Sequence, residues 1–164
     1  MGENRSMRRF RPAHGVALVL VFMAVFLVAN YAHEGGFEKG SFERVGPDPD
    51  GNVRIDVADL EAGQARFYRF LNPSNQEVKF FVGRDRSGEV EVGFDASEIC
   101  FKRKRGFDYG EGWLTCRVCE KSFRLADVND NRGGCSPVAI RHTVQGDQLV
   151  IAEAAMLEGW RYFR

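Results

Sequence analysis

From Gly15 to Ala32 the chain reads GVALVLVFMAVFLVANYA, an apolar run of 18 positions. Wound as a helix at ~1.5 Å per residue it reaches about 27 Å, close to the ~30 Å hydrocarbon core of a bilayer. The run therefore predicts a transmembrane helix over 15–32. Arg5, Arg8, Arg9 and Arg11 precede it and Glu34 follows it. By the positive-inside rule, 1–14 form a basic cytoplasmic N-terminus and everything beyond Ala32 lies outside. The alternative is a secretory signal peptide, whose apolar core usually stops at ~7–15 residues before small residues at a cleavage site. Ala32 suits that role, but Asn30 stands where a second small residue belongs, and whether the segment is cleaved stays open.

Beyond the span the pattern changes. HEGGFEKGSFERVGPDPDG is rich in Gly, Pro and Asp and predicts a linker over 33–51. From residue 52 apolar and polar positions alternate with period two in NVRIDV, ARFYRFLN, EVKFFVGRD and EVEVGFDA. NPSN and DRSGE supply turn chemistry between these runs, so consecutive hairpins are expected. SFRLADV, VAIRHTV and QLVIAEA form a second set of strand-like runs, and AAMLEGWRYFR reads as a helical turn or a last strand. The fold class is mainly β: a single N-terminal transmembrane helix followed, over 52–164, by a small antiparallel β domain.

Composition adds an exclusion. The 164 residues carry 23 basic and 23 acidic side chains, so no excess charge points to nucleic acid. No Ser-His-Asp set, phosphate loop or nucleotide fingerprint is present, and no enzymatic activity is expected. His142 alternates with Ile140 and Val144 and reads as a core histidine; His14 and His33 have no companion ligands in sequence.

The chemistry sits in four cysteines. Cys100, Cys116, Cys119 and Cys135 are separated by fifteen, two and fifteen residues. Four thiolates on a few loops, one pair at x-x spacing, suit a tetrahedral zinc site or an iron–sulfur cluster. Gly133 and Gly134 let the backbone turn closely ahead of Cys135, and Pro137 fixes its exit. Structural disulfides are the competing reading for an extracytoplasmic domain, and a redox-active dithiol is a third. Lys102, Arg103, Lys104 and Arg105, in FKRKRGF, offer positive charge to offset the excess negative charge of a four-thiolate centre, or to dock an acidic partner.

FDASEIC, Gly106-Phe107, LTCRVC and GGCSP together resemble the FtrD-like membrane iron–sulfur proteins. The resemblance implies a membrane anchor and a cluster that passes electrons within a bacterial ferrous-iron transport system. It places the domain outside the inner membrane, with an iron permease and periplasmic iron-uptake or redox proteins as partners. Cys100, Cys116, Cys119 and Cys135 would be the cofactor and metal ligands. The family often has Cys-x-x-Cys where this chain reads Ser97-Glu-Ile-Cys100, which puts cluster type and nuclearity in doubt. A structural zinc module presenting its surface to a membrane permease is the alternative. A looser likeness links Cys100-Phe-Lys102, Cys116-Arg-Val-Cys119 and Gly133-Gly134-Cys135-Ser-Pro137 to the ligand loops of Rieske domains, with both histidine positions replaced.

Overall fold

The computed structural model describes residues 19–26, 42–130 and 132–164. The chain divides into two units, Met1–Glu38 and Lys39–Arg164. In the first, 19–26 form helix α1, with apolar side chains from Val19 to Phe26 exposed. The rest of the expected span over 15–32, and the basic segment 1–14, lie outside the described residues. No helix among the described residues is long and apolar enough to cross a membrane.

The second unit is built mainly from strands: β1 (Glu43–Val45), β2 (Asn52–Asp56), β3 (Gln64–Leu71), β4 (Glu77–Arg84), β5 (Val90–Ser97), β6 (Phe107–Gly110), β7 (Trp113–Cys116), β8 (Ser122–Arg124), β9 (Pro137–Ala139), β10 (Thr143–Gln145) and β11 (Gln148–Ala152). One helix follows, α2 (Glu153–Glu158). The strands make a five-stranded sheet in the order β1-β3-β4-β5-β9 and two three-stranded sheets, β10-β11-β2 and β6-β7-β8. As the turn residues predict, β3, β4 and β5 run as successive antiparallel hairpins.

Period two gives the large sheet two faces, and each carries a core. Val78, Phe80 and Val82 of β4 face β2, β11 and α2, packing with Val53, Ile55, Leu149, Ile151 and Met156. Phe81 points the other way, joining Phe67, Phe107, Leu114, Leu125 and Val128 in a second core beneath β6 and β7. Each large apolar side chain buried there contributes about 1.5–3 kcal/mol.

Some segments depart from the sequence reading. Glu43–Val45, within the stretch read as a linker, pair parallel with Tyr68–Phe70 of β3. VAIRHTV splits into β9, which pairs irregularly with β5 at the edge of the large sheet, and β10, which pairs with β11 in a small one. His142 falls in the gap, half-buried, its Nδ1 2.8 Å from the Ile140 carbonyl, while Val144 is exposed. AAMLEGWRYFR, read as a helical turn or a last strand, takes the helical form as α2.

Strand β5 is buried along its whole length. Val90, Val92, Phe94 and Ala96 enter the first core. The opposite face reads Glu91, Gly93, Asp95, Ser97, and its polar groups accept hydrogen bonds from three loops. Glu91 Oε2 accepts the Asn129 N–H at 2.7 Å, Asp95 Oδ1 the Phe107 N–H at 2.7 Å, and Ser97 Oγ the Cys100 N–H at 3.1 Å. Gly106 lies so close over Asp95, at φ +67°, that a Cβ would be driven into the carboxylate.

Two consequences can be measured. Burial, assisted by the nearby carboxylates Glu89, Asp85 and Asp130, raises the Glu91 pKa to about 7, against the opposing pull of the Asn129 N–H. The folded chain then keeps a proton that the unfolded chain releases near the ordinary carboxylate pKa. Stability is highest below that value and falls as pH rises to about 7, by an amount on the order of 3 kcal/mol. Glu91→Gln keeps an acceptor for Asn129 and cannot ionise, so its melting temperature should lose this slope between pH 5 and 8; equal slopes in the two proteins would refute the assignment. Gly106→Ala should destabilise the domain by about 2–4 kcal/mol through backbone strain and overpacking. Gly110→Ala, where a Cβ meets nothing within 4 Å, is the control and should leave the melting temperature nearly unchanged.

Candidate metal centre

The four cysteines come from three loops that β5 and the small β6-β7-β8 sheet hold together. Cys100 follows the end of β5, where the turn Ser97-Glu98-Ile99-Cys100 is closed by the Ser97 hydroxyl. Cys116 ends β7, and the next residues turn back sharply. The Glu120 N–H donates to the Cys116 carbonyl at 2.9 Å and the Cys116 N–H to the Lys121 carbonyl at 2.9 Å. Glu120 adopts φ +60°, which closes the turn and leaves Cys119 facing the same centre. Cys135 follows Gly133 and Gly134 at φ +70° and +69°, a pair of left-handed residues that non-glycine side chains would strain.

Backbone hydrogen bonds tie these loops together. The Ile99 N–H reaches the Gly134 carbonyl at 3.3 Å, and the Arg117 N–H reaches the Gly106 carbonyl at 3.0 Å. The Gly134 N–H donates to Glu98 Oε2 at 3.2 Å, and the Ser136 hydroxyl donates to the Gly133 carbonyl at 2.7 Å. The loop of Cys135 is therefore fastened to the loop of Cys100.

The thiols converge as a result. Sγ of Cys100 and Cys135 are 3.8 Å apart, and the sulfurs of Cys100, Cys119 and Cys135 all lie within 4.8 Å of one another. Cys116 is outside that group of three, although its thiol and those of Cys100 and Cys119 influence one another's ionisation. All four are free cysteines rather than disulfides. Cys116 is 1% exposed, inside the second core, while the other three are half-buried. The site has an apolar floor and an open side.

Burial pushes the Cys100 thiol above its ordinary pKa, and the thiols of Cys135 and Cys119 add to the rise, while the Cys116 thiol and the Ser97 hydroxyl pull it down. Burial likewise raises Cys116, against N–H groups of Cys119 and Val118 aimed at its sulfur. Cys119 moves the other way, held below the usual thiol range chiefly by the Lys121 N–H. Such N–H groups stabilise negative charge on sulfur, as a metal-bound thiolate requires. Four soft sulfur donors converging in this way suit iron or zinc and do not suit a hard cation such as calcium.

Ile99, 65% exposed, stands against the Cys135 loop, and a basic stretch follows Cys100 in the chain. Phe101–Arg103 make a turn of 3-10 helix and Lys104 a left-handed residue, leaving Lys102, Arg103, Lys104 and Arg105 at the surface. Asp127 is paired with Arg124 and Arg132. The groups that the cysteine spacing does not reveal are Glu91, Asp95 and Ser97. Their signal is the period-two alternation of EVEVGFDAS, which puts all three on one face with a glycine between them.

No curated protein and no solved structure matches the chain. A family model does, over residues 60–163, and its description is membrane iron–sulfur containing protein, FtrD-like. The match spans more than half of the chain and includes every cysteine, and on it the chain belongs to the FtrD-like family of membrane iron–sulfur proteins.

Proposed function

We propose that this chain is a membrane-anchored one-electron carrier whose iron–thiolate centre is held by Cys100, Cys116, Cys119 and Cys135. The observation that carries the reading is the convergence of half-buried thiols on an apolar floor, in a chain whose family is described as iron–sulfur. Iron bound there would supply a one-electron couple. The protein's own residues do the rest: the thiolates bind the metal, N–H groups of Val118, Cys119 and Lys121 take up part of the negative charge, and the second core keeps water from beneath the site. With iron bound, the centre would take one electron from a reduced donor and give it to an oxidised acceptor, which requires no bond to be made or broken in the protein. On this reading the domain has no substrate chemistry of its own.

The apolar run over 15–32 would anchor the chain in the inner membrane and leave the β domain outside it, where the arginines ahead of the run direct it. The partners we propose are an iron permease and extracytoplasmic iron-uptake or redox proteins of one ferrous-iron transport system. The exposed Ile99 and the Lys102–Arg105 arc form the face that would meet an acidic partner.

Full-length protein, purified in detergent without oxygen, should contain iron and show thiolate-to-iron absorption that bleaches with dithionite. A colourless protein holding zinc would overturn electron transfer and leave the cysteines as a structural clasp, since Zn²⁺ has no redox chemistry. The basic arc has its own test in oxidation of the reduced protein by small reagents of opposite charge. Ferricyanide should react faster than hexaamminecobalt(III) once their driving forces are corrected for, and added salt should narrow the gap. Lys102→Glu with Arg103→Glu should slow the anionic reagent about tenfold and quicken the cationic one. Unchanged rates would remove the arc from the docking face.

A further inference from the structure

We infer that the cleft between the Cys100 turn and the C-terminal segment is a docking site for an acidic segment of a partner protein, with Arg161 as the residue that receives its carboxylates. The inference rests on the reading of the chain as an electron carrier and specifies where, and by what chemistry, its partner binds. The cleft measures about 490 Å³ and is lined by Glu98, Phe101, Arg161, Tyr162 and Arg164. Two segments far apart in sequence thus build one surface. They are joined by Phe101 and Tyr162, whose rings meet edge to face at 5.4 Å. The same ring pair lines a neighbouring pocket that also holds Lys79, Lys104, Glu77 and Asp95. There Lys79 stands 3.8 Å from Glu77, and Asp95 Oδ1 accepts the Phe107 N–H, so Lys104 is the cation left to the rim. The basic stretch after Cys100 therefore continues, across the aromatic pair, into the arginines of the C-terminal segment.

Arg161 is held ready for this role. Its guanidinium lies over the Tyr162 ring, 4.8 Å from the centroid, and Nη2 donates to the Tyr162 hydroxyl at 2.6 Å. Those contacts fix the side chain and occupy only part of its N–H fork. Neither Arg161 nor Arg164 forms an ion pair among the described residues. Glu98, the acid in the cleft, has Oε2 occupied by the Gly134 N–H at 3.2 Å. A guanidinium already fixed in position loses little freedom when a carboxylate binds it through the paired N–H···O geometry that arginine favours.

The cleft also lies beside the thiols. Phe101 is the chain neighbour of Cys100, and Glu98 is fastened to Gly134, the chain neighbour of Cys135. These are the two cysteines whose sulfurs stand 3.8 Å apart. A partner seated in the cleft is thus brought up to the centre with which it exchanges electrons. The cations stand around a recess with aromatic walls, which admits a protruding side chain; the flat array of headgroups on a lipid surface would meet only its rim.

The test is the fluorescence anisotropy of a dye-labelled hexaglutamate peptide titrated with the full-length protein in neutral detergent. The peptide should bind, and added salt should weaken it. Arg161→Glu should lower its affinity by about tenfold or more, the loss expected of a charge-assisted pair. Glu98→Gln should act in the opposite direction, tightening the complex, because it removes the carboxylate that competes with the peptide and keeps an acceptor for Gly134. Arg86→Glu, at an exposed position lining a different pocket, is the control and should leave the affinity nearly unchanged. Absence of peptide binding would overturn the inference. So would an Arg161→Glu variant of native circular dichroism that loses no more affinity than Arg86→Glu, or a Glu98→Gln variant that binds no better than the unmodified chain. Displacement of the peptide by an equal concentration of glycerol phosphate, a soluble lipid headgroup, would give the cleft to lipid and overturn it as well. The readout is independent of the metal. A colourless zinc protein that binds the peptide in this pattern ends the electron-transfer reading and leaves the docking site standing; an iron protein that bleaches with dithionite but ignores the peptide does the reverse.

Discussion

The structure depends on a buried strand that carries polar groups on one face. β5 is covered on both sides, so Glu91, Asp95 and Ser97 cannot be satisfied by water. An unpaired buried acceptor costs about 1–3 kcal/mol, and more when it is charged. Each of these groups instead takes a backbone N–H from a loop: Asn129, Phe107 and Cys100. The requirement works in both directions. The strand needs the loops to cover its acceptors, and the loops, otherwise short of regular structure, are fixed by the strand. Gly93, between the acids, lets Phe81 and Val128 close over the same face.

That arrangement explains how a small domain holds four thiols from three loops in place without disulfides. Cys100 leaves the strand directly, Cys116 hangs from a sheet seated over the Phe107 anchor, and Cys135 follows the segment that Asn129 secures. The loops that carry the thiols are fastened by the fold's own hydrogen bonds, which reduces the ordering that binding an ion there would require. Its surroundings differ from one side to the other. Beneath are Phe81, Leu114 and Leu125, which strengthen every charge interaction by excluding water. Above are half-buried sulfurs beside an exposed isoleucine.

Much of this was legible in the sequence because period two is a strong signal when one face of a strand is apolar. The β3-β4-β5 hairpins follow from alternation and turn residues alone, and the cysteine spacing is enough to propose one centre. What the alternation could not tell was the destination of the polar face. In EVEVGFDAS, Glu91 and Asp95 look like solvent-facing positions, and only the third dimension shows a second core closing over them. The strand expected through VAIRHTV divides between two sheets, and His142 falls in the gap between them rather than in a core position. Glu43–Val45 form a strand because β3 has a free edge to offer, which is information about another part of the chain.

Ser97 shows how closely the strand and the centre are joined. The turn after β5 needs an acceptor at this position to receive the Cys100 N–H, and a hydroxyl provides one in a small volume. A cysteine there would be a weaker acceptor for that N–H and would bring a further sulfur to the thiols already present. Serine retains the turn and limits the donors. Because Ser97 also faces Pro137 across the sheet, two residues beyond Cys135, the same position fixes the exits of both loops whose sulfurs lie 3.8 Å apart. The turn that delivers Cys100 is thus decided at the end of a buried strand, by a residue other than the cysteines themselves.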